Sequence, residues 1–206
     1  MDDTELFHRS WQRVWHGLGV PVPQNDLQAR LLASYAEPQR QYHSLQHLAE
    51  CLVALEAALP LAQHPAEVEV ALWFHDAVYD LQRSDNEQKS ADWARETLQA
   101  AALPPALCQR VHALVMATRH SAAPEGADAQ LLVDIDLGIL AAPAARFAEY
   151  EQQIRTEYAF VPGWIFRRKR RAVLQSFLDR PHIYSTAHFH ALLEAVARAN
   201  LQTAVA

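Results

Sequence analysis

Four groups of residues carry the types and spacing that could do chemistry. Tyr42-His43-Ser44-Leu45-Gln46-His47 sets two histidines four residues apart. An adjacent His75-Asp76 pair follows, and Asp134-Ile135-Asp136 places two carboxylates in an otherwise apolar run. His120 ends the string Ala117-Thr118-Arg119-His120. Imidazole mixed with carboxylate suits a borderline divalent ion such as Mn, Fe, Co, Ni or Zn. Water bound to such an ion has a lowered pKa and can attack an ester as hydroxide. Each piece alone has a plainer reading. A single helical His is usually structural, His-Asp adjacency is common, and two His at i, i+4 are more often a surface pair than a metal clip. A carboxylate inside an apolar helix says more, because its burial must be offset by a partner.

Helices are the elements that must position these groups. Leu45, Leu48, Leu52, Leu55 and Leu59 recur at steps of three and four, and Val68, Leu72, His75 and Tyr79 do the same. Leu107, Val111, Leu114 and Thr118 form a third stripe; Leu132, Ile135, Asp136 and Ile139 form a fourth. His75 and Asp136 thus fall on apolar stripes, and Asp136 is the better inward candidate than Asp134. The breaks are centred on proline, from Pro21 and Pro23 to Pro181. Helices are expected over about 4–18, 24–36, 44–59, 66–80, 86–102, 105–119, 128–141, 143–159, 163–179 and 186–203, with Ser84 or Asp85 as a cap for the fifth. Few glycines (5 in 206 residues) fit long helices with short connections. Alternating strand patterns of any length, internal repeats and linker-like composition are all missing from the sequence, which predicts an all-α, single-domain bundle of about 8–10 helices.

Composition excludes several classes. Half the residues are apolar and 20% are charged, which argues against disorder. Cys51 and Cys108 cannot build a disulfide framework. The acidic start and the lack of an 18-residue apolar run predict a cytoplasmic protein that makes no use of a membrane. A net charge of −6 disfavours a general nucleic-acid binder. The run Arg167-Arg168-Lys169-Arg170-Arg171 must face several directions around a helix, so most of it is expected in solvent or paired with acids, with one or two members free to turn inward to a phosphate. A zinc peptidase built on His43 and His47 fails because Ser44 stands where a general-base Glu is needed.

The ordered set of His43, His75-Asp76 and Asp136 resembles the HD-domain superfamily of metal-dependent phosphohydrolases. Further strings resemble one predicted bacterial subgroup of it: His75-Asp-Ala-Val-Tyr-Asp80, Asp85-Asn-Glu-Gln-Lys-Ser-Ala91, Ala117-Thr-Arg-His120, Arg155-Thr-Glu-Tyr158 and Ile183-Tyr-Ser-Thr186. The resemblance implies an HD-type helical domain over 1–206, with a metal-site core at about 40–142 and the C-terminal helices 143–206 packed on it. It also implies a metal held by His43, His75, Asp76 and Asp136, with Asp134 as competitor. His47 and His120 are candidates for a second metal or for substrate contact. Asp80, expected one helical turn after Asp76, and Glu87 are candidates to orient or deprotonate the water. Arg119, His120 and Arg155 are the candidate phosphate ligands. The implied reaction is hydrolysis of a phosphoester of a small metabolite, with a nucleotide as the leading class; a non-catalytic metal- or nucleotide-binding module and a diiron oxygenase are the alternatives. Oligomeric state is open, a homo-oligomer included. Seven further histidines (His8, His16, His64, His112, His182, His188 and His190) have no partner that the sequence names.

Overall fold

The computed structural model describes residues 3–21 and 25–206; the Pro23 break and the first residue of the helix expected over 24–36 lie outside them. Ten α-helices and no strand form among the described residues, as the periodicity requires. None of these helices is long and apolar enough to cross a membrane. The chain divides into two compact units, 1–133 and 134–206.

The first unit holds α1 (Asp3–Gly17), α2 (Asn25–Tyr35), α3 (Leu45–Ala58), α4 (Pro65–Phe74), α5 (Asn86–Ala100), α6 (Pro105–Ala117) and the first residues of α7 (Ala127–Asp136). Its centre is α4, which packs against α1, α3, α5 and α6. Every residue from Glu67 to Phe74 is buried, so α4 is enclosed on all sides rather than amphipathic. Pro65 and Pro105 open α4 and α6 at the first turn, where a missing N–H leaves nothing unbonded. Trp11 packs edge-on against Trp73 at 4.9 Å and Trp15 at 5.5 Å. The two acids inside α4 are both paired: Glu67 with Arg110, and Glu69 with Arg13 and the Ser10 hydroxyl. Ser10 Oγ also accepts from the Trp73 indole at 2.9 Å.

Arg9 and Arg13 converge on Glu56 of α3 at 2.9 and 2.8 Å. Arg9 foremost, with Arg13, lowers the Glu56 carboxyl from 4.5 to about 2 against an opposing effect of burial. A group depressed in this way stabilises the fold above pH 4.5, and that contribution is lost as pH falls from 4.5 towards 2. The thermal midpoint of the wild type should therefore fall more steeply across that window than the midpoint of Glu56→Gln, as followed by circular dichroism.

The second unit contains the end of α7, a 3-10 turn (Leu137–Ala141), α8 (Ala144–Glu157), α9 (Gly163–Leu178) and α10 (Ala187–Val205). α10 packs on the 3-10 turn and on α9. Asn200 donates to the Leu140 and Ala142 carbonyls at 3.0 and 2.9 Å, and the Tyr184 hydroxyl donates to Leu137 O. The Glu194 carboxylate accepts from the Ile183 and Tyr184 N–H groups and from Arg198, which fixes the approach to α10. Thr186 caps α10 by accepting from the Phe189 N–H.

Two sequence expectations need correction. α4 stops at Phe74, not near residue 80, so His75 is its C-terminal cap and Asp76 lies beyond it. The Asp76 and Ala77 carbonyls are taken by Arg40 instead of by a continuing helix. Asp85 does occupy the cap position of α5, but its carboxylate pairs with Arg83 and Lys89 and makes no capping hydrogen bond.

Candidate metal centre

His47 and His75 are brought together from the first turn of α3 and the end of α4, and both are buried. His75 Nδ1 lies 2.7 Å from the Leu72 carbonyl. A carbonyl can only accept, so Nδ1 carries a proton; Nε2 either carries a second proton, which Asp76 accepts, or gives it up and presents a lone pair to a metal. That Nε2 faces His47 Nε2 at 3.1 Å, and Asp76 Oδ2 stands 3.1 Å from His75 Nε2 and 3.6 Å from His47 Nε2. The Cys51 thiol, one turn along α3, is 3.8 Å from the His47 ring nitrogens. His47, Cys51 and His75 each offer a ligating atom within 4.8 Å of the others, so the group is able to hold a metal ion. The donor set also fits: two imidazoles with a carboxylate suit a borderline divalent ion. Burial works to raise the Asp76 carboxyl, yet the charge and hydrogen bond of His75, with His43 and His47 nearby, hold it well below the usual carboxylate range. It is therefore ionised and ready to ligate.

Arg40, which the sequence did not single out, holds this arrangement. Its side chain is fully buried and donates to His43 O at 3.1 Å, Asp76 O at 2.6 Å and Ala77 O at 3.0 Å, with Glu37 taking its Nε. Its guanidinium lies 5.3 Å from the ring centres of both Tyr35 and Tyr79. Tyr79 stacks in turn on His43 at 4.2 Å. The Tyr35 hydroxyl accepts from the Asp76 N–H and donates to Trp73 O. The loop before α3 and the segment after α4 are thus pinned to one cation. A planar fork with five donors is what such a junction needs.

Of the expected ligands in the first unit, His75 and Asp76 come together, and His47 moves from a secondary candidate to the centre. His43 is half-buried with its ring 6.2 Å from that of His47. Asp136 is the last residue of α7 and half-buried; within the second unit its charge adds to burial in raising the Tyr150 hydroxyl. The ranking of the two aspartates by burial is reversed: Asp134 is fully buried, and Asp136 is not. Asp134 accepts from the Ser185 N–H at 2.7 Å and from the N–H and hydroxyl of Thr186 at 2.7 and 2.6 Å, a structural use of its charge.

Asp80 is exposed, off any helix, and its carboxylate closes a turn onto the Gln82 N–H, so the expected one-turn relation to Asp76 is not formed. Glu87 sits half-buried in the first turn of α5. Arg119 is exposed; His120 follows the end of α6 with φ +53, the left-handed conformation that commonly closes a helix. Arg155 donates to the Tyr158 carbonyl at 2.7 Å and covers the Phe166 ring, so its guanidinium closes α8. A cleft of about 440 Å³ elsewhere in the first unit has none of these ligand candidates in its wall, and its Arg110 is paired with Glu67. Several otherwise unassigned histidines gain partners: His64 with Asp128, His112 with Asp92, His8 with Gln12, and His190 with Glu194.

Comparison of the chain with models of protein families, with curated proteins and with solved structures returned no match.

Proposed function

We propose that the protein is a divalent-metal-dependent phosphohydrolase acting on a phosphoester of a small metabolite, with nucleotides as the first class to test. The observation that supports this is the convergence of His75 Nε2, His47 Nε2 and Asp76 Oδ2 in a buried place where no two of them are separated by more than 3.6 Å. Such a cluster is costly without a cation to share. His43, His47, His75 and Asp76 are the proposed donors within the first unit. When bound, the metal would supply a water of lowered pKa and neutralise charge on a phosphoryl oxygen.

The chain's own residues do the rest. The Leu72 carbonyl fixes the tautomer of His75. Arg40 fixes the backbone that carries His43 and Asp76. Glu87, half-buried and making no hydrogen bond or ion pair among the described residues, is favoured over Asp80 as the group that orients the water or takes its proton. Arg119, exposed and similarly uncommitted, is favoured over Arg155 for phosphate.

A phosphate-release screen over nucleotides and sugar phosphates, with Mn or Co added, tests the activity. Release by the wild type that falls at least a hundredfold in Asp76→Ala is the expected result. Metal bound without turnover on any member of a broad panel would replace the proposal with a binding module, and iron with oxygen-dependent product formation would replace it with an oxygenase.

A further inference from the structure

The five consecutive cations of α9 do not share one fate. Arg170 turns inward, with its guanidinium paired to Glu151 at 2.5 Å and lying 4.8 Å from the Tyr150 ring centre. Arg167, Arg168, Lys169 and Arg171 are all exposed, and none of them makes a hydrogen bond or ion pair among the described residues. Two large aromatics at this end of α9 are exposed: Trp164, in its first turn, is 63% exposed, and Phe160, in the α8–α9 connection, is 59% exposed. At about 100° per residue, Trp164, Arg168, Arg171 and Gln175 form one stripe along the helix. Away from this stripe α9 buries Leu174 and Phe177 and leaves Val173 exposed.

We infer that this face of α9 binds single-stranded nucleic acid, with Trp164 stacking on a base and Arg168 and Arg171 holding successive phosphates. Uncommitted cations in register with an exposed aromatic are what a sequence-tolerant strand-binding surface uses. Guanidinium groups three or four residues apart on a helix rise by about 4.5–6 Å, and their flexible stems reach the slightly longer phosphate repeat of an extended strand. Three of the four free cations are Arg, which engages phosphate in two parallel bonds. A duplex offers no unstacked base to Trp164. An anionic membrane needs a broad apolar face next to the cations, whereas the two exposed large apolar residues of α9, Trp164 and Val173, lie on opposite sides of the helix. With a net charge of −6 the rest of the surface repels a polyanion, so binding is confined to this patch. The inference is independent of the metal centre.

Fluorescence anisotropy with labelled oligo-dT and oligo-U of about 20 nucleotides, longer than a typical single site, tests it. Wild-type protein should bind at low salt, with a log–log salt slope of about −2 to −3 for three or four neutralised phosphates. Arg168→Glu/Arg171→Glu should weaken binding at least tenfold and flatten the slope, and Trp164→Ala should weaken it about tenfold at an unchanged slope. All these residues are exposed, and far-ultraviolet circular dichroism checks that the variants fold. Absence of wild-type binding at low salt, equal affinity in the double variant, or preference for duplex or for phosphatidylserine vesicles would overturn the inference.

Discussion

Arg40→Met is expected to unfold the protein about 10 °C below the wild type and to weaken divalent-metal binding by ten- to a hundredfold. The variant keeps much of the apolar stem and removes every donor. Three carbonyls, from His43, Asp76 and Ala77, then lose their partner in a buried setting. Losing a buried, multiply bonded cation costs on the order of 4 kcal/mol, and in a chain of this size that corresponds to roughly 10 °C. The effect on metal comes from position, because His43 and Asp76 are tied through the same guanidinium, and groups that orient ligands commonly control affinity to this degree. Arg40→Lys retains charge but not the fork, so it should recover part of the stability and less of the affinity. Thermal unfolding together with metal titration checks both. A loss of stability with unchanged metal affinity would confine Arg40 to a purely structural role.

Asp134→Ala is expected to destabilise the second unit by about 3 kcal/mol, because it leaves the Ser185 and Thr186 N–H groups and the Thr186 hydroxyl without their acceptor. Burial pushes the Asp134 carboxyl up, and the Thr186 hydroxyl with the two backbone donors opposes that shift. The wild-type carboxylate therefore stabilises the start of α10 through its hydrogen bonds. Asp134→Asn should cost less than the alanine variant, since one acceptor oxygen remains. Urea unfolding of the three proteins gives the order directly.

The helices were legible because their signals are local. Stripes of leucine and valine at steps of three and four, and prolines at the starts, place α3, α5, α6, α8, α9 and α10 within a few residues of their ends. The end of α4 was not legible. The stripe Val68, Leu72, His75, Tyr79 continues past Phe74, but Arg40, some 36 residues earlier, takes the carbonyls that a longer helix would use. Arg40 itself carries no signal, because its partners are backbone groups distant in sequence. His75 and Asp76 were legible through residue type and order. The central place of His47 was half legible, as it shares the i, i+4 spacing with both His43 and Cys51 but is buried only through tertiary packing. The burial of Asp134 was hidden for the same reason: its partners at Ser185 and Thr186 are 51 and 52 residues away.

The central claim is that the buried His47, His75 and Asp76 cluster exists to hold a divalent ion. Metal analysis of purified wild type, His75→Ala and Asp76→Ala after identical equilibration with Mn, Co or Zn tests it most directly. About one tightly held ion per wild-type chain, and little or none in either variant that still folds by circular dichroism, is the predicted result. Equal metal content in all three proteins, or a wild type that holds none after equilibration, would contradict it.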